Sequence, residues 1–175
     1  FELLHQERAA AEVSLNSLRE EGLLALTNEQ LLLADASLRK ALWESMGEVG
    51  RRKLAAALLV APYADQLSAI DRAALATSAL DEQRMRALIP DAAQALSRVG
   101  AHARAAELLE ALLPHLSGEP RDVSGLRLAA TRHALGQDAV AAQLANEVAE
   151  RELAGAELRA EARLLAARAL TALGQ

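Results

Sequence analysis

The stretch from Ser97 to Pro114, SRVGAHARAAELLEALLP, ends one helical pattern on a glycine and begins another at once. Upstream of it, Met85, Leu88, Ile89, Ala92, Leu96 and Val99 recur at the spacing that lines one side of an α-helix. Gly100 closes that stripe, because glycine enters the left-handed cap conformation without steric cost. Ala105, Leu108, Leu109, Leu112 and Leu116 then form the next stripe. The stretch therefore predicts a reversal: two short helices, packed antiparallel, each hiding an apolar stripe from water. Asp81 is the expected N-cap of the first helix, and Pro90 predicts a kink or two coaxial pieces. Pro114 and Ser117-Gly-Glu-Pro120 predict that the second helix gives way to a loop.

Moving outward, the pattern repeats. Leu126, Ala129, Ala130 and His133 lead to Gly136, and Val140, Ala141, Leu144, Ala145 and Val148 lead away from it. Leu158, Ala162, Leu165, Ala169 and Leu173 run up to Gly174. The closing glycines at 100, 136 and 174 are spaced by 36 and 38 residues, a period that means stacked helix hairpins. Composition agrees. The chain is 52% hydrophobic with only 2% aromatic residues, so alanine and leucine supply the bulk and an all-α fold is expected.

The first half is less regular. Asp35 is a candidate cap for a helix holding Leu38, Leu42 and Met46; further helices are expected over 48–60 and 65–78. Leu15, Leu18 and Gly22 close a short helix before two apolar runs flanking Thr27-Asn-Glu-Gln30. Those runs predict either a small β-hairpin or, with Asn28 as cap, a helix; local rules do not separate the two. Trp43 reads as a core anchor, and Arg51-Arg-Lys53 as a solvated turn rather than a binding patch.

Ala134-Leu-Gly-Gln137 and Ala172-Leu-Gly-Gln175, with a looser match at Arg98-Val-Gly-Ala101, resemble the inner turn of tetratricopeptide (TPR) repeats over Glu82–Gln175. The resemblance implies a TPR-like antiparallel helix-hairpin superhelix, a right-handed solenoid. Leu18-Arg-Glu-Glu-Gly-Leu-Leu24 and Leu38-Arg-Lys-Ala-Leu-Trp-Glu-Ser-Met46 resemble a segment of STAND-type regulators, including large LuxR-type, MalT-like bacterial transcription regulators. In those proteins a winged-helix module and its hairpin lead through a helix into TPR-like repeats. That resemblance implies a small winged-helix-like remnant over 1–34, linking helices over 35–80 and repeats over 81–175, with a sensor or arm role and no ATPase activity.

On a concave repeat surface, the register places Gln94, Ser97, Arg98, His133, Glu161 and Arg168 inward, where they would hold a peptide or small effector or simply face water. Such a partner would bias attached modules by favouring one curvature of the stack. An enzyme is not expected: there is no phosphate loop or serine elbow, and the absence of cysteine excludes thiolate sites. His5, His102, His115 and His133 lack the spacing of a metal pair, so no metal or cofactor is expected; His102 and Arg104 read as solvated turn residues. The net charge of −5 argues against direct nucleic-acid binding by the repeats. The uncharged run over 54–64 is well short of the ~20 residues that span a bilayer, and the start shows no signal-peptide pattern, so a cytoplasmic location is expected. The chain begins without methionine and ends in mid-pattern, which reads as a piece of something longer. A scaffold or homo-oligomerisation module without an effector is the alternative.

Overall fold

The computed structural model describes residues 13, 17, 20, 24–27, 30–33, 41, 44–62, 64–152 and 154–174. Asp35, Leu38, Leu42, Trp43, Leu15, Leu18 and Gly22, to which the sequence assigned roles, lie outside them. The chain divides into two compact units, 1–51 and 52–175.

In the first unit, strands β1 (Leu24–Thr27) and β2 (Gln30–Leu33) pair antiparallel, from Leu24 opposite Leu33 to Thr27 opposite Gln30. This settles the hairpin-or-helix ambiguity in favour of the hairpin. Two short apolar runs joined by two residues satisfy each other's backbone groups at once, whereas a capping box satisfies only one helix end.

The other regular elements among the described residues are helical. Helices α1 (Glu48–Leu59), α2 (Ala69–Ala79), α3 (Glu82–Arg98), α4 (His102–Leu112), α5 (Gly118–Ala134), α6 (Asp138–Ala149) and α7 (Ala156–Ala172) follow in order. From α2 to α7 each packs on the next, and α2 also touches α4 while α5 touches α7. Two boundaries depart from expectation. The 65–78 segment is a 3-10 turn, Ala64–Gln66, followed by α2, whose cap is Ser68: its hydroxyl accepts the Asp71 N–H at 3.1 Å. The loop expected at Ser117–Pro120 is instead the start of α5, reached from α4 through the 3-10 turn Leu113–His115. Proline sits in the first turn of α5, where its missing N–H costs nothing. α3 runs as one helix through Pro90.

The reversals are built by one backbone device. After α3 the Ala101 N–H reaches the Leu96 carbonyl and the Gly100 N–H that of Ser97, at 2.9 and 3.1 Å. After α5, Gln137 and Gly136 bond Arg132 and His133 in the same way. Such paired bonds require a left-handed residue, and Gly100, Gly136 and Gly174 have φ of 77°, 71° and 75°. The same two bonds close α2, but there the left-handed residue is Leu80, at φ 55°.

Packing of the second unit changes along its length. Around α2–α4 the core is leucine-sized, with Met85, Ile89, Leu109 and Leu112 almost wholly buried. Around α5–α7 it thins to alanine. Leu126 meets Val148, Ala149 and Ala162; three to four residues further along α5, Ala129 meets Ala145 and Ala166; beyond these, Ala141 and Ala142 meet Ala169. Positions rise along α5 and α7 as they fall along α6, so α6 runs antiparallel to both. Small side chains at these crossings let the helix axes approach closely.

Candidate binding groove

α3, α5 and α7 each place one side along a groove. Its first hollow, about 310 Å³, is walled by Gln94 and Ser97 of α3, His102 and Leu109 of α4, and Arg127, Ala130 and Thr131 of α5. The second, about 560 Å³, lies between Leu126, Arg127 and Ala130 of α5 and Leu158, Glu161, Leu165 and Arg168 of α7. Arg127 and Ala130 line both hollows, which makes them one strip. The period explains the alignment: Leu126 and Ala162 share a cluster, as do Ala129 and Ala166, so equivalent sides of α5 and α7 face the same way.

The strip mixes apolar floor with polar groups that have little else to do. Arg127, Glu161 and Arg168 form no ion pair among the described residues. The buried Nδ1 of His102 has no hydrogen-bond partner among the described residues. A buried ring nitrogen without a partner carries a desolvation penalty that an incoming donor or acceptor would relieve. His102 thus departs from the solvated turn residue expected of it: it opens α4 and is only partly exposed. Arg104 is exposed, as expected.

Of the residues placed inward by sequence register, Gln94 and Ser97 stand together in the first hollow and Glu161 and Arg168 in the second. Arg98 is exposed and lines neither. His133 is drawn into the α5–α6 turn, its Nδ1 2.5 Å from Asp138 Oδ1. Beside it Arg132 bridges Gln137, at 2.6 Å, and Glu110 of α4. Register alone missed Arg127 and Thr131. Their signal was present in the helical spacing Arg127–Ala130–Thr131–Ala134.

Asp81, whose carboxyl is held below its ordinary range, lies outside the groove. Asp81 accepts the backbone N–H of Arg84 at 3.0 Å, the chief cause, and a guanidinium N–H of the same residue at 2.7 Å. Among the described residues no three acidic or histidine side chains are grouped to hold a metal ion, and no helix is long and apolar enough to cross a membrane. Comparisons with protein-family models, curated proteins and solved structures found no match.

Proposed function

We propose that residues 82–175 are a TPR-like stack of helix hairpins, a right-handed superhelix whose groove binds a protein or peptide partner or a small effector without catalysing a reaction. The observation that carries this reading is the continuity of the two hollows through Arg127 and Ala130. A strip spanning three helices suits an elongated ligand: the apolar floor offers burial, while Arg127, Arg168, Glu161 and Gln94 offer orientation. The segment over 17–59 supports membership of a bacterial signalling or transcription regulator of the STAND or LuxR type. The β1–β2 hairpin falls where the wing of a winged-helix remnant would stand in that resemblance. A cytoplasmic location goes with this reading.

The test is to select peptides on the chain from a displayed random library and then measure their binding to Ala130→Arg, which fills the strip at its midpoint. Binding lost in Ala130→Arg and retained in Arg104→Ala supports the groove. Peptides that bind Ala130→Arg as well as the parent chain would remove it.

A second reading, a scaffold that self-associates, is favoured by one feature. Val140 and Leu173 are exposed at 46% and 43% and border the same shallow hollow beside the α5–α6 turn. Sedimentation distinguishes the two: a concentration-dependent dimer lost in Val140→Glu supports self-association, and a monomer at all concentrations excludes it.

A further inference from the structure

A third hollow, of about 410 Å³, shares no residue with the groove. It lies where α3, the end of α4 and the start of α5 converge, with Arg86 on one wall, His115 on another, and Ser117 and Ser124 at the α5 side. Pro90 and Leu116 supply an apolar wall.

Ser124 is the telling residue. It is 5% exposed, yet its hydroxyl makes no hydrogen bond among the described residues. Thr77 and Thr131, by contrast, each donate to the carbonyl four residues earlier. Ser124 does not, and its hydroxyl borders the hollow. A hydroxyl with no protein partner on the wall of a hollow is free to bond whatever enters it.

Three further features give that hollow a sign. α5 is 17 residues long, so its N-terminus carries the partial positive charge of a full helix; Ser117, at the cap position, makes no side-chain cap bond to it. Among the described residues Arg86 pairs with Glu82 alone, at 3.4 Å, with both side chains more than half exposed. His115 leans on the same Glu82, at 3.1 Å. One exposed carboxylate therefore serves two basic groups, while hydroxyls and a helix end converge from the opposite side.

We infer that this hollow is a second binding site, for a small oxyanion carried on an apolar body: a carboxylate or a phosphate monoester. The oxyanion takes hydrogen bonds from Arg86, Ser117, Ser124 and the start of α5, and the body lies against Pro90 and Leu116. Glu82 opposes the ligand's charge, so it sets the affinity from outside the hollow.

The experiment titrates the full chain with phenyl phosphate and, separately, with benzoate at constant ionic strength, following amide and His115 ring signals by NMR. Saturable shifts at Ser117, Ser124 and His115 are expected with at least one of the two; the one that saturates identifies the oxyanion. Arg86→Gln should weaken binding about tenfold, and Glu82→Gln should tighten it. Ser124→Ala serves as a second variant that removes a donor without touching an ion pair. Gln94 and Arg127 should not shift, so the result is independent of the groove. Non-saturating shifts with both probes, or equal affinity in the parent, Arg86→Gln and Ser124→Ala, would overturn the site.

Discussion

Asp122 in α5 and Arg151, just past the end of α6, are joined at 2.6 Å across a sequence separation of 29 residues, with the aspartate side chain 2% exposed and the arginine 37%. The pair ties the start of one helix to the exit of the next. It closes the wide end of the α5–α6 hairpin, opposite the Gly136 turn.

Removing the arginine leaves a carboxylate buried and unpaired. Arg151→Ala should destabilise the chain by about 2–4 kcal/mol, slightly below the range for fully buried pairs because water reaches the arginine. Asp122→Leu combined with Arg151→Met should recover most of that loss, since no charge is then stranded. Urea unfolding of the three variants checks both. A single-variant cost near zero would show that the pair is only a surface contact.

Leu80 adopts a conformation that glycine supplies at the other reversals, and half of its surface is exposed, so little burial opposes its replacement. Leu80→Gly should stabilise by roughly 1 kcal/mol by relieving the left-handed strain, raising Tm by about 3 °C. Gly136→Ala, the reverse experiment, should cost a similar amount. Thermal melts of the two should move in opposite directions.

The depressed carboxyl of Asp81 has a consequence for acid stability. Its pKa lies below the ordinary 3.8 in the folded chain, so its contribution is present above that value and is lost as pH falls through the folded pKa. Asp81→Asn keeps a cap oxygen for the Arg84 N–H but removes the titration. The parent should exceed Asp81→Asn in stability at neutral pH, and the gap should shrink as pH falls below 3.8. Asp81→Ala, lacking the cap oxygen, should cost about 1 kcal/mol near neutrality. Unfolding curves between neutral pH and strong acid measure both.

The alanine crossings predict intolerance of size. Ala145 is fully buried between Ala129 and Ala166, so Ala145→Leu should destabilise by about 1–3 kcal/mol through overpacking. Val140→Leu, on the exposed side of the same helix, should change little. Equal effects would mean the three helices do not meet at alanine.

The reversals at Gly100 and Gly136 and the helix end at Gly174 were legible because a left-handed cap is a local demand that only a few residues meet. Leu80 was not, since nothing in a leucine announces a reversal: tertiary packing of α2 on α3 imposes it. The helix expected over 65–78 begins only at Ala69, because Ser68 supplies the cap oxygen and the residues before it close a 3-10 turn instead. The four groove residues found by register share the side of helices whose ends were read correctly. Arg127 lies inside the helix the sequence predicts but off the register used for the inner surface, and His133 lies so near the turn that Asp138 captures it. The hollow beside Ser124 depends on three elements converging, which no local pattern encodes.

α5, α6 and α7 meet in one alanine seam that aligns equivalent sides of α5 and α7 along a single groove. Methyl NOE spectroscopy tests it directly, since the seam is made of methyl groups. Cross-peaks from Ala129 to both Ala145 and Ala166, and from Leu126 to Val148, are predicted. Their absence, with only sequence-local peaks along each helix, would contradict the seam and the groove built on it.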